Sequence, residues 1–166
     1  GAIWDRSYAK PLGYPGDFQI MNQVYDWEKL GSSVYQQLVH RLGLEVAECI
    51  DTRMQVVRGK IAETVRAYGQ DRPARILSLG SGPAREIQTF LEGPHARAGK
   101  VEFTLVDQET QALGYAYDRA YPPLLKLAGN AHVQCLNISF TDILRANGGL
   151  QAVPPQDLIY SVGLLD

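Results

Sequence analysis

The sequence predicts an α/β fold, a parallel sheet with helices between its strands, preceded by a helical region. Three observations carry this. The stretch "RILSLGSGPAREI" (75–87) runs an apolar strand into a glycine-rich turn and then into a helix. After it, strand-like and helix-like runs alternate to the end of the chain, the pattern of βαβ units. Before it, residues 1–72 hold no convincing strand but do hold a long helical stripe.

The elements follow in order. "KPLGYPGDF" (10–18) carries two prolines and two glycines and reads as an irregular loop. Phe18 to Tyr25 fits a short helix. Ser32 or Ser33 caps a second one, expected to end at Leu42 before Gly43. Val46, Ile50, Met54, Val57, Ile61, Val65 and Tyr68 recur at steps of four and three and predict a third helix, ended by Gly69. Gln70 to Pro73 is the linker, so the expected division is a helical cap or lid over 1–72 and a sheet-forming core over 73–166.

In the second part "RILSLG" is the first strand, followed by a helix from about Ala84 to Leu91 that Gly93-Pro94 stops. "KVEFTLVD" (100–107) is the second strand and ends in an acid. A helix from Thr110 to Tyr121 is expected to halt at Pro122-Pro123. Strand "HVQCLNI", a short helix near Thr141 to Ala146 and strand "DLIYSVG" complete the chain.

Composition narrows the function. At 166 residues the chain is about one domain long; its 45% hydrophobic and 20% charged content suits a globular protein. The net charge of -2, without a Lys/Arg block, does not suggest a nucleic-acid surface. No apolar run of roughly eighteen residues and no signal-peptide pattern is present, so the chain reads as soluble and cytoplasmic. Cys49 and Cys135 match no metal or redox spacing and are expected as buried free thiols. His40, His95 and His132 are scattered, and no zinc-type ligand cluster is seen, so no metal is expected. The chain starts Gly1-Ala2 without a Met and stops at Asp166 directly after a strand, so both ends read as cut.

The glycine turn is the main functional signal. In a doubly wound sheet the ligand sits beyond the carboxyl ends of the strands, and glycine lets the backbone turn sharply and approach it. Gly80 and Gly82 meet that need, and Asp107 stands where an acid accepts hydrogen bonds from both ribose hydroxyls. Dinucleotide sites want G-x-G-x-x-G, and here Arg85 occupies the last glycine position.

"LSLGSGPARE", with Gly80, Gly82 and Ala84 in register, resembles the looser glycine turn of class I, Rossmann-like, S-adenosylmethionine-dependent methyltransferases. One departure is Ser78, which stands where many members have an acid. "KPLGYPGDFQIMNQVYDW" is also similar to a bacterial subgroup in which a Gly-Tyr-x-Gly-Asp element and a Met-Asn pair precede such a domain. Members of that subgroup make hydroxy-fatty-acid methyl esters used as extracellular signals. The resemblance covers most of the chain, through "DLIYSVGLLD". It implies S-adenosyl-L-methionine as cofactor, a small-molecule or lipid-like acid as methyl acceptor, and a sheet with more strands than the four counted here, which it orders 3-2-1-4. The fourth strand would then be an edge, covered by further chain or by a partner chain, a homo-oligomer included.

The resemblance implies a cofactor-binding set of Gly80, Ser81, Gly82, Ala84, Asp107, Gln108, Asn137, Ile138, Ser161, Val162 and Gly163, joined by Tyr14 and Arg53. Asn137 would take the adenine amino group and Ile138 pack on the ring; Asn137 closing a loop is the alternative. Ser161-Val162-Gly163 would face the methionine half. Tyr14 would offer an aromatic face to the sulfonium, and Asp17 would bind an ammonium or orient a substrate hydroxyl; a structural turn closed by Asp17 explains the same residues. Arg53 either snorkels at the edge of the apolar stripe or reaches the methionine carboxylate. No catalytic base is assigned. A carboxylate acceptor needs none, whereas a hydroxyl acceptor would. A cofactor-binding regulatory module without turnover is the competing reading, and an NAD(P)-binding protein the third.

Overall fold

The computed structural model describes residues 2–13, 17–26, 32–145, 149–151 and 153–162. The chain forms two compact units, Gly1–Met54 and Gln55–Asp166. Their boundary falls inside a helix rather than at the linker before the first strand.

In the first unit, α1 (Ala2–Ala9) and α2 (Phe18–Tyr25) pack on one another. The sequence reading has no counterpart to α1, a short helix with little periodicity. Asp17 caps α2: its Oδ1 accepts from the amides of Gln19 and Ile20, each at 3.0 Å. Such a cap satisfies N–H groups that have no partner within the helix.

The long helix α3 (Val34–Tyr68) corrects the expectation of two helices broken at Gly43. A glycine inside a helix costs about 1 kcal/mol relative to alanine but keeps its hydrogen bond, so it weakens a helix without ending it. Of the stripe, Met54, Ile61 and Val65 are buried and Val57 half-buried, while Tyr68 is exposed.

The second unit is a Rossmann-like α/β arrangement. Strands β1 (Ala74–Leu79), β2 (Val101–Asp107), β3 (Ala131–Asn137) and β4 (Leu158–Ser161) form one parallel sheet, as the alternation predicts, in the order β3-β2-β1-β4 that the resemblance implies. Between them run α4 (Arg85–Glu92), a short 3-10 turn (Pro94–Arg97), α5 (Thr110–Lys126) and α6 (Phe140–Leu144). Ile76, Phe103 and Val133 stand in one cross-strand row and are buried with Ile61 and Val65 of α3, Ile87 and Phe90 of α4, and Leu113 and Ala116 of α5. Phe90 and Phe103 meet edge to face, ring centroids 5.9 Å apart.

On the opposite face Arg75 and Glu102 form an ion pair at 3.4 Å, and Gln134 Nε2 donates to Thr104 Oγ1 at 2.7 Å. Neither cysteine is in a disulfide, but Cys49 is exposed and Cys135 half-buried, against the expectation of two buried thiols. Burial nevertheless pushes the Cys135 thiol pKa up.

The helix α5 overturns a second expectation, for it passes through Pro122 and Pro123 to Lys126. Two prolines remove two N–H donors, which would have bonded the carbonyls of Asp118 and Arg119. Both of those residues are exposed, so water can serve their carbonyls. Ala120, Pro123 and Leu127 are buried, and that burial holds the last turns in place.

The amino ends of the strands are tied by two devices. At the first, the chains touch backbone to backbone: Lys100 N donates to Gly69 O at 2.7 Å, and Ala74 N donates to Lys100 O at 2.9 Å. A methyl carbon on Gly69 would lie 2.5 Å from the Val65 carbonyl oxygen and 2.9 Å from that of Lys100. At the second, Asp157 receives a two-pronged ion pair from Arg72, at 2.6 and 2.7 Å, and the Arg75 amide at 2.9 Å. Its own N–H donates back to Arg75 O at 2.8 Å. The Arg72 guanidinium, and then the Arg75 amide, hold the Asp157 pKa down to about 2, against the opposing effect of burial.

Two outcomes follow. Gly69→Ala should lower stability by about 1–3 kcal/mol, the usual cost of overpacking, read from the urea unfolding midpoint. Asp157 ionises more readily when folded, so its stabilisation is fully present above its ordinary value of 3.8 and is lost as pH falls toward about 2. The thermal midpoints of wild type and Asp157→Asn should therefore differ by a constant amount above about pH 4 and converge toward about pH 2.

Candidate functional site

The carboxyl ends of β1, β2 and β4 converge on the glycine turn. In the turn, Gly80 (φ +65°), Gly82 (φ +49°) and Ala84 (φ +48°) all adopt the left-handed conformation, which costs a residue with a side chain about 1–2 kcal/mol. Glycine removes that cost at 80 and 82. Ala84 bears it, and as the residue that caps α4 rather than its first helical residue. Among the described residues, and apart from its own chain neighbours, no heavy atom lies within 4 Å of where a Cβ on Gly82 would sit, so the turn is open there.

The main-chain donors of the turn are used within the fold. Gly80 N and Ser81 N both donate to Val106 O, at 2.8 and 3.1 Å, and Ala84 N donates to Ser81 O at 2.9 Å. Gly82 N donates to Asp107 Oδ2 at 2.8 Å, and Pro83 has no N–H to give. Asp107, 7% exposed, also accepts from Glu109 N at 2.9 Å through Oδ1. One carboxylate thus clasps the first turn and the loop after β2. Two of its roughly four acceptor positions are occupied by these bonds.

Asn137 extends the clasp to β3. Its Nδ2 donates to the carbonyls of Asp107 and Gln108, at 3.0 and 2.9 Å, and Ile138 N donates to Asp107 O at 3.2 Å. The loop-closing alternative for Asn137 therefore describes its amide nitrogen. Gln108 is exposed, and its carbonyl is part of this clasp. Ile138 is half-buried, and a Cβ on Gly149 would come within 3.1 Å of its Cδ1.

Two buried hydroxyls stand at this end of the sheet. Ser81 Oγ and Ser161 Oγ have no hydrogen-bond partner among the described residues. Ser161 ends β4 opposite Leu79, the residue before Gly80. Burying a hydroxyl unpaired costs free energy, so each is a place where a ligand atom would be favourable. Val162 follows, half-buried. Ser78, at the position where an acid is common in the family resembled, is buried in β1.

The remaining expected residues lie elsewhere. Tyr14 and Gly163 are outside the described residues. Arg53 is a half-buried residue of α3 in the first unit. Asp17, expected on the substrate side, is fully buried and committed within its own unit. Beyond its capping bonds, Oδ1 accepts from Arg6 Nε at 2.9 Å and Oδ2 lies 2.7 Å from Arg6 Nη2.

One pair at the site escaped the sequence reading. Tyr160 of β4 donates its hydroxyl to Glu86 Oε1 at 2.8 Å, and Glu86, in the first turn of α4, is 7% exposed. An acid just after a glycine turn is a legible signal, since it suits a helix N-terminus. Its partner, 74 positions away, is not.

Neither a protein-family model nor a curated protein matches the chain. Three solved chains do. Among the matches is the X-ray structure of YjhP from E. coli, 20% identical, with a TM-score of 0.32. That similarity covers 48% of this chain and 28% of the other, so the chain spans less than a third of that protein's length. The Rossmann-like sheet is compatible with a nucleotide-type cofactor.

The clasp makes a direct prediction. Asp107→Ala should destabilise the chain by about 1.5–3 kcal/mol, because two main-chain donors lose a charged acceptor. Urea unfolding measures this.

Proposed function

We propose that this chain is the cofactor-binding part of an S-adenosylmethionine-dependent methyltransferase that O-methylates a small or lipid-like carboxylic or hydroxy acid. The observation that carries the reading is the hydrogen bonding of the glycine turn. A pyrophosphate is held by turn amides and a helix N-terminus that point at it. Here the amides of Gly80, Ser81, Gly82 and Ala84 are already bonded inside the fold. Such a turn suits a cofactor with an adenosine half and no phosphate.

The residues present fit that group. Asp107 keeps acceptor capacity for ribose hydroxyls, and the open space at Gly82 admits a ligand against the backbone. The unpaired hydroxyls of Ser81 and Ser161 suit the polar methionine half. Asn137 offers its Oδ1 toward an amino group while its Nδ2 holds the loop, and Ile138 offers an apolar wall. Val162, Gly163 and Gln108 stay in the proposed set on the family resemblance, and Tyr14 and Arg53 on their chemistry, an aromatic face for the sulfonium and a guanidinium for the methionine carboxylate.

Bound there, S-adenosylmethionine supplies an activated methyl group. The protein's own contribution is alignment, worth about 7–11 kcal/mol in favourable systems. A carboxylate acceptor needs no general base. The commitment of Asp17 to Arg6 and to the α2 cap accords with that, because no proton acceptor is then required of it.

Calorimetric titration with S-adenosylhomocysteine, with NAD in parallel, tests the reading. Micromolar binding of S-adenosylhomocysteine and none of NAD is expected. In Gly82→Arg the side chain enters the open space before the turn, and affinity should fall by at least about tenfold, or about 1.4 kcal/mol. NAD binding, or S-adenosylhomocysteine binding unchanged by Gly82→Arg, would overturn it.

A further inference from the structure

Glu86 is a buried carboxylate with no part in the chemistry above. Burying a carboxylate is a liability that an apolar residue of similar volume would avoid. The Rossmann-like core does not need a polar pair here, since Ile87, Phe90 and Leu91 already fix α4 on the sheet. What the pair does have is its place. Glu86 lies two residues after Ala84, in the first turn of the helix that the glycine turn feeds. Tyr160 lies one residue before Ser161, whose buried hydroxyl has no partner among the described residues. Consecutive residues of a strand face opposite sides of the sheet. Tyr160 is thus anchored on the α4 side while Ser161 presents its hydroxyl on the other.

We infer that Tyr160 and Glu86 are a positioning pair that sets the spacing between the glycine turn and the end of β4, and so the width of the cofactor slot. This rests on the proposed cofactor reading for its ligand, but the spacing itself does not. The clasp at Asp107 ties the turn to β2, and through Asn137 ties β2 to β3; among the described residues, β1 and β4 pair as far as Leu79 and Ser161. On the β4 side the Tyr160 hydroxyl bonded to Glu86 supplies the side-chain tie to α4. Glu86 is favoured as the acceptor because a negative charge in the first turn interacts well with the helix dipole.

Tyr160→Phe removes the tie and keeps the ring, whereas Glu86→Gln keeps an acceptor for the tyrosine. The test measures S-adenosylhomocysteine affinity by calorimetry and amide hydrogen exchange across residues 80–86 and 101–107. Tyr160→Phe should weaken binding by about tenfold, equivalent to about 1.4 kcal/mol. It should also speed exchange in the turn while β2 is unchanged. Glu86→Gln should stay within about twofold of wild type on both readouts. If Tyr160→Phe exchanges like wild type in the turn, or if β2 and the turn speed up by one common factor, the pair is merely structural and the inference fails. If wild type itself does not bind S-adenosylhomocysteine, the cofactor reading fails, and the exchange result still decides the pair.

Discussion

The dipeptide at the end of β2 is the point on which the carboxyl side of the sheet depends. Val106 O receives two amides of the glycine turn, and the Asp107 carboxylate receives a third. From the other side, Asp107 O receives Ile138 N and the Asn137 amide. Parallel strands need long crossovers, so their carboxyl ends are joined by no hairpin and must be held together by the loops that leave them. Here the loops after β1 and β3 are both bonded to the end of the strand between them. The turn therefore has a defined shape before any ligand arrives, and a preorganised site loses less in ordering when it binds.

The two ends of the sheet are held differently. At the amino ends Asp157 is met by Arg72 and the Arg75 amide, and the Gly69 backbone lies directly on Lys100, while Gln156 Oε1 is buried with no partner among the described residues. At the carboxyl ends the backbone is matched, and the hydroxyls of Ser81 and Ser161 have no partner among the described residues. Unpaired buried groups cost stability, and folds tolerate them where a ligand makes up the difference. In open α/β sheets ligands bind at the carboxyl ends, where the two hydroxyls stand.

Much of this was legible in the residues. "RILSLG" and "KVEFTLVD" are apolar runs bounded by turn signals, and their alternation with helical stretches was enough for a parallel sheet, while the order β3-β2-β1-β4 came from the family resemblance. Gly80 and Gly82 stood out because few other residues tolerate positive φ. Two of the departures share one cause. Gly43 and Pro122-Pro123 read as helix ends, because each weakens a helix locally. The long α3, and the burial of Ala120, Pro123 and Leu127 in α5, show that local cost outweighed by the rest of the helix and by packing. Asp17 left two readings open, a ligand-facing acid and an acid that closes a turn; its bonds to Arg6, eleven positions earlier, and to the amides of α2 are of the second kind.

By itself the sequence determined the class of fold, the position of the glycine turn and the acid that follows it, because those depend on periodicity and on the φ preferences of neighbouring residues. Only the tertiary structure decided which polar groups are matched and which are left over. That Asp107 clasps Gly82 across 25 positions, that Tyr160 finds Glu86 across 74, and that Ser81 and Ser161 find no partner among the described residues are facts of packing. A side chain's residue type sets what it can bond. Which groups lie within about 3 Å of it is set by the fold as a whole.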